Sequence, residues 1–430
     1  MQVQTVKNGA AAADRSIASL AERYRQIRAM TRALCAPLVT EDYVIQSMQD
    51  VSPTKWHLAH TTWFFETFVL TPFAEGYRPF NPDFAYLFNS YYVQAGDRHC
   101  RPKRGLLSRP TVEEVYQYRK FVDQQMAQLF ETTSDAESTE ARRRIEIGLN
   151  HEQQHQELIL TDIKHVLSEN PLRPVYAEGA QIGHTALPPP AEWIENEGGL
   201  VEIGYQGDGF FYDNEGPVHQ VFVEPFAFAS RPVTNREYIE FMEAGGYDRT
   251  ELWLSEGWTA VETSGWKAPG YWESSDGQWW NFTLRGFRPV NLDEPVCHVS
   301  YFEADAYARW ADARLMTEFE WEVASRDVVI EGNFVERKNF HPIRAQGRSG
   351  AVEQMFGDVW EWTRSQYSPY PRYKPEPGAL GEYNGKFMCN QFVLRGGSVA
   401  TSETHIRRTY RNFFHPSARW QFTGIRLARN

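Results

Sequence analysis

The chain has 430 residues, longer than one hydrophobic core usually sustains, so two domains are expected. Its 42% hydrophobic and 14% aromatic content excludes a largely disordered protein. Its 44 Lys and Arg stand against 56 Asp and Glu, and the net charge of −12 argues against nucleic acid or an anionic membrane as partner and for a small-molecule substrate.

The first residues, MQVQTVKNGAAAADRS, carry neither the apolar stretch nor the cleavage pattern of a secretory signal, and residues 1–13 are expected to be disordered. No later apolar run approaches membrane-spanning length, so a cytoplasmic protein is expected. Four widely spaced cysteines, Cys35, Cys100, Cys297 and Cys389, form no CxxC pair and suit reduced thiols.

From Ser16, the apolar residues Ile17, Leu20, Tyr24, Ile27 and Leu34 recur at mostly three and four, one stripe of an amphipathic helix. Ser52-Pro53 reads as a cap followed by proline at the first helical position, opening a second helix through WHLAHTTWFFETFVL. A third begins at Thr111, where TVEE is a capping box ahead of Val115, Phe121, Val122 and Leu129. The fourth contains GLNHEQQHQELIL. Four helices with one long connection, residues 71–110, predict a bundle over residues 14–170, and bundle interiors are where facing helices bind metals.

Beyond it, residues 171–195 include ALPPPAEW and read as a proline-rich linker. Residues 196–430 show short strand-like runs such as VHQVFVEPFAFA, two brief helices in NREYIEFMEA and FEADAYARWADA, and long loops such as GWKAPGYWESSDGQWWNF. The whole is predicted to be an α+β two-domain protein.

In the fourth helix His151 and His155 lie one above the other, able to reach one ion, while Glu152 is turned about 100° away. Gly148, a turn earlier, leaves space beside them. The letters HEQQH satisfy the zinc-peptidase signature HExxH. The metzincin continuation fails at Leu158 and Thr161, and His165 lies about 15 Å further along the helix, so zinc hydrolysis is the weaker reading. A better third ligand lies in WHLAH. His60 shares a face with Trp56, Trp63, Phe64 and Phe68, and a polar ring in an apolar interior needs a partner. His57 is only about 60° around the helix, so spacing alone leaves His57 and His60 open. Three imidazoles suit catalytic Zn²⁺ or non-haem Fe(II) alike.

The ordered segments EGPVHQVFVEPFAFASRPVTNREYIEF, PVCHVSYFEADAYARWADARLMTEFEWEVASR, GDVWEWT, VLRGGS and TGIRLAR resemble the formylglycine-generating, sulfatase-modifying-factor domain, a C-type-lectin-like fold. SPTKWHLAH and NHEQQHQE resemble the DinB-like four-helix bundle. Together, in this order, they resemble the ergothioneine-biosynthesis sulfoxide synthases over nearly the whole chain. The resemblance implies Fe(II) on His60, His151 and His155, with His57 outside the ligand set. It also implies O₂, a thiol, and hercynine (Nα-trimethylhistidine), whose imidazole C2 is joined to sulfur with oxidation to the sulfoxide. RGGSVATS and TGIRLAR lack the cysteines of true formylglycine generators, which argues against peptidyl-cysteine oxidation.

Around such an iron, Arg101 and Arg104 of RHCRPKRG are expected to clamp the thiol's carboxylate. The family places a proton-donating phenol near the metal, in some members from the second domain. No second-domain tyrosine stands out, so Tyr91 and Tyr92 take that role here. YRNFFHP offers Asn412, Phe413 and Phe414 for the quaternary ammonium, since aromatic faces bind such cations, and Gln154 is similar to a family residue that bonds the substrate imidazole. Some members have an acidic residue where Phe414 stands, a difference that bears on the identity of the thiol, and the fewer polar groups available here favour free cysteine over γ-glutamylcysteine. GDVWEWT and RLMTEFEW are read as core, although lectin-like loops sometimes hold a structural Ca²⁺. The competing readings are an ovothiol-type 5-histidylcysteine sulfoxide synthase, a zinc hydrolase acting through HEQQH, and a non-catalytic lectin-like module.

Overall fold

A computed structural model describes residues 16–133, 139–179 and 190–430. The expected disordered start, residues 1–13, and Pro188 and Pro189 of the linker's ALPPP lie outside the described residues.

The four expected helices are Ile17–Cys35, Thr54–Phe65, Val112–Thr132 and Thr139–Glu169. Local chemistry sets their starts. Ser16 accepts from the Ser19 amide, and Thr111 exchanges bonds with Glu114 as the expected capping box. The second helix departs from expectation by one residue. Pro53 is the cap and Thr54 the first helical residue, because Ser52 is engaged elsewhere: its amide donates to the Asp162 carboxylate and its hydroxyl accepts from Arg104.

Every residue of Thr54–Phe65 is buried, so this helix runs through the middle of the bundle rather than along its surface. It packs on Val112–Thr132 and Thr139–Glu169, and the latter also packs on Ile17–Cys35. A π-helical turn, Glu66–Leu70, carries it into the long connection. The space expected beside Gly148 is filled: a Cβ there would stand 2.6 Å from the Phe65 ring and 3.1 Å from that of Phe64. Glycine at this position lets two helices approach closely and makes no room for an ion.

The second domain holds two four-stranded sheets. In one, Trp193–Asn196, Phe226–Ala229, Leu427–Arg429 and Arg314–Leu315 lie side by side in that order. In the other the order is Asn412–Phe414, Phe392–Arg395, Trp360–Gln366 and Thr423–Gly424. Because Trp193–Asn196 pairs with Phe226–Ala229, the second domain's regular structure starts with three residues inside the segment read as linker. The brief helices form at Asn235–Glu243 and Tyr301–Trp310, each with a reciprocal capping box.

GWKAPGYWESSDGQWWNF, read as a loop, contains two strands of a meander: Trp272–Ser275, Gln278–Thr283 and Gly286–Pro289. The overlooked signal is Asp276-Gly277, whose φ values of 52° and 76° make the tight turn such hairpins need. GDVWEWT and RLMTEFEW build core, as expected. Trp321, Trp360 and Trp362 are each at most 1% exposed, Glu361 pairs with Arg426, and Glu318 with Arg395 and Arg411.

The two domains meet along Thr139–Glu169. Glu157 accepts from the Trp360 indole, Ser398 and Thr401, while Gln153 donates to Ser402 and Thr404. Asn150 bonds His405 at 3.0 Å. Further along, the Lys164 amine stands 2.5 Å from His298 Nε2, and burial pulls it down to about 7. The helix carrying the HEQQH motif is therefore also the one clamped by the second domain.

Candidate metal centre and substrate cleft

His60, His151 and His155 stand together, buried at 0%, 1% and 8% exposure, with one ring nitrogen from each within 4.8 Å of the others. Trp56 and Trp63 stack on either side of His60, with ring centroids 4.5 and 5.5 Å away. Phe64 covers His151 at 4.8 Å.

The hydrogen bonds decide which nitrogens face inward. His60 Nδ1 lies 2.6 Å from the Phe88 carbonyl, which can only accept, so the ring proton is on Nδ1 and the lone pair on Nε2. That Nε2 is 3.1 Å from His151 Nε2. Two metal–imidazole bonds of about 2.0–2.1 Å at roughly a right angle put nitrogens about 3 Å apart. Burial holds all three imidazoles well below their ordinary value, His151 down to about 3, so they are neutral and able to donate to a cation. The donor set fits a metal ion. Among the described residues no other group of three His, Cys, Asp or Glu side chains could hold one, so a structural Ca²⁺ has no side-chain cluster there.

His57, which spacing left tied with His60, faces the other way. Its Nδ1 meets His155 Nδ1 at 2.8 Å and its Nε2 meets Asp162 at 3.0 Å, outside the three-histidine cluster.

Glu152 is not placed for hydrolysis. Its carboxylate is fully buried and accepts from Arg28, Arg119 and Thr31, away from the histidines. Burial alone would push this carboxyl up, but Arg119 and Arg28 outweigh it and hold it at about 2. A zinc hydrolase would lose activity in Glu152→Gln while keeping its stability. The ion-pair network predicts instead a loss of about 3–5 kcal/mol in urea unfolding, because buried Arg119 loses its counter-ion and Arg28 is left with Asp123 alone.

Beside the histidines a cavity of about 230 Å³ opens between the domains. Its walls include Tyr91, Arg101, Arg104, Gln154, Asn412, Phe413 and Phe414, seven of the eight side chains singled out from sequence beyond the ligands. Arg104 is buried, lies 3.3 Å over the Trp56 ring, and bonds the hydroxyls of Ser52 and Ser90. It has no carboxylate partner among the described residues, and burial and Arg101 depress its ordinarily high pKa. Such a group could receive an anion. Arg101 is exposed and donates to the Asp50 carbonyl at the cavity's edge. Gln154 donates to the Tyr410 hydroxyl at 2.5 Å, so its amide is held from the second domain. Asn412–Phe414 is an edge strand, and Phe413 stacks on Tyr367 at 4.0 Å.

Tyr92 is the exception. It is fully buried behind Tyr91, packed on Trp63 and Phe68, and is not among the cavity's lining residues. The expectation that the second domain offers no tyrosine is corrected. Tyr383, from GEYNGKF, lines the cavity with its ring 5.7 Å from that of His151 and 6.0 Å from that of Tyr91. Burial and the neighbouring phenols Tyr212, Tyr91 and Tyr92 raise its pKa well above 10, so it holds its proton. No periodicity marks it, because it sits on a 3₁₀ turn's end in a loop; Glu382 beside it accepts from the Val93 and Gln94 amides and ties that loop to the bundle.

Fold and site together define a class: metal proteins whose three-histidine centre, in a helical bundle, faces a cleft closed by a lectin-like second domain. Residues 23–159 match the DinB superfamily, and residues 180–346 and 336–430 match the sulfatase-modifying factor enzyme 1-like domain. The chain is 34% identical to the hercynine oxygenase of Mycolicibacterium smegmatis over 66% of its own length and 71% of that protein's. With the hercynine oxygenase of Mycobacterium tuberculosis it shares 38% identity over 50% of this chain and 55% of the relative. Its second domain is also similar to the formylglycine-generating enzyme of Thermomonospora curvata, 28% identical over 54% of this chain and 91% of that enzyme. The chain belongs to the hercynine oxygenase family. Among the described residues, no helix is long and apolar enough to cross a membrane.

Proposed function

We propose that this chain is an iron(II)-dependent sulfoxide synthase that uses O₂ to join the sulfur of cysteine to imidazole C2 of hercynine. The observation that carries the reading is a cluster of three neutral imidazoles, one of which, His155, lines a cleft whose other walls include a buried arginine without a carboxylate partner, aromatic rings and a protonated phenol. The reaction balances without an external reductant. The S–H and C2–H bonds break, a C–S and an S=O bond form, and the two hydrogens leave with the second oxygen atom as water.

Ferrous iron on His60, His151 and His155 would supply the one-electron chemistry that O₂ requires. The protein's own groups do the rest. Arg104, with Arg101 at the rim, holds the thiol substrate's carboxylate, a charge-assisted contact that also relieves the burial of an uncompensated guanidinium. Among the described residues Arg104 is the one buried arginine of the cavity without a carboxylate partner, which matches the single carboxylate of free cysteine better than the two of γ-glutamylcysteine. Phe413 and Phe414 offer faces to the trimethylammonium, and Asn412 and Gln154 offer amides to the carboxylate and imidazole. Tyr383 Oη, with Tyr91 behind it, holds the proton delivered as oxygen is reduced. Tyr92 packs behind that pair. Four cysteines outside any disulfide among the described residues support a reducing, cytoplasmic setting.

The test is oxygen consumption by Fe(II)-loaded protein. Uptake is expected only when hercynine and cysteine are both present, and uptake indifferent to hercynine would reject the assignment. Histidine in its place separates this reading from the ovothiol-type reaction at another ring carbon.

A further inference from the structure

His57 and Asp162 stand beside His155 on the cavity wall and lie outside the three-histidine cluster. His57 Nε2 is 3.0 Å from Asp162 Oδ2, and the same oxygen accepts from the Ser52 amide at 2.8 Å. An oxygen that already accepts one N–H and faces a ring nitrogen is an acceptor toward both, so the His57 proton sits on Nε2. A ring with that single proton carries its lone pair on Nδ1, and that atom faces His155 Nδ1 at 2.8 Å. Two lone pairs cannot share that distance, so His155 Nδ1 is the donor. The remaining nitrogen of His155, Nε2, is left unprotonated.

Resting on the reading that His155 is a metal ligand, we propose that Asp162 and His57 form a tautomer relay that keeps His155 Nε2 free for the ion. They are positioning residues, acting on the ion through His155, although both also stand on the cavity wall. The relay uses an imidazole where a carboxylate or backbone carbonyl more often stands behind a ligating histidine. Asp162 is needed because His57 alone could adopt either tautomer, and the wrong one would force the His155 proton onto Nε2. His60 reaches the same end by a shorter route, through the Phe88 carbonyl. The chain thus sets the tautomers of two ligands by two unrelated devices. All three side chains of the relay are buried, so water is a poor substitute partner.

The experiment is chelator-buffered titration of the metal-free full chain with Co²⁺, followed by absorbance, with thermal unfolding recorded in parallel. His57→Leu removes the acceptor and is expected to weaken Co²⁺ binding about 10–100-fold, the usual cost of losing an outer partner. His57→Asn returns an amide oxygen near the position of Nδ1 and is expected to recover most of that loss. A packing role would not be rescued this way. Asp162→Ala is expected to weaken binding in the wild-type background and to add nothing in His57→Leu, since the relay is then already broken. Wild-type affinity in His57→Leu, equal weakness in the Leu and Asn variants, or additive losses in the double variant would overturn the relay. His155→Ala separates the premise: if that variant binds Co²⁺ as the wild type does, the three-histidine reading itself fails.

Discussion

Replacing His60 with alanine is expected to cost more metal affinity than any loss behind the ligands, beyond the ~10–100-fold typical of outer partners, and to bring oxygen consumption to background. The reason is geometric. His60 comes from a different helix than His151 and His155, so removing it leaves two donors on one helix face and opens one whole side of the site. Because its ring is packed between Trp56 and Trp63, the alanine variant also leaves a cavity. His60→Gln, closer in volume, separates the two effects. Both variants are expected to lose the metal, and only the alanine variant should melt at markedly lower temperature. Wild-type Fe(II) affinity in either would sink the proposed centre.

Tyr383→Phe is expected to lower the rate of C–S coupling by about 10²–10⁴-fold, the range that a positioned proton donor supplies. Oxygen should still be consumed, with cysteine sulfinic acid taking the place of the coupled product. Tyr91→Phe should move the product ratio in the same direction by less, because Tyr91 lies behind Tyr383 with respect to His151. Tyr92→Phe should alter stability and leave the ratio alone, as it faces Trp63 and Phe68 instead of the cavity. Product analysis by mass spectrometry distinguishes the three. An unchanged ratio in Tyr383→Phe would remove the second-domain phenol from the mechanism.

Much of the bundle was legible because its signals are local. Ser16, Thr111 and the apolar spacing each act within one or two turns, where backbone geometry alone sets which groups meet. The HEQQH pair was legible for the same reason: residues four apart on a helix share a face in any fold. The second domain was less so. Its capped short helices are visible, but the first two strands of the meander, within residues 265–282, read as loop, where only Asp276-Gly277 marks the turn.

What the sequence determined by itself was a pair of superposed histidines, a third histidine in an apolar helix, two domains, and a set of arginine, amide and aromatic candidates for one cleft. Helix spacing left His57 and His60 tied, and beyond the family resemblance it was the tertiary structure that separated them, because that choice depends on a Phe88 carbonyl 28 residues away and an Asp162 carboxylate 105 residues away. It alone turned Glu152 from a candidate base into the counter-ion of Arg28 and Arg119, and brought Tyr383 to the metal side of the cavity. Each of these is a contact between segments distant in the chain. Helical periodicity fixes which way a side chain leaves its own backbone, but only the packing of other elements decides which atom waits there to meet it.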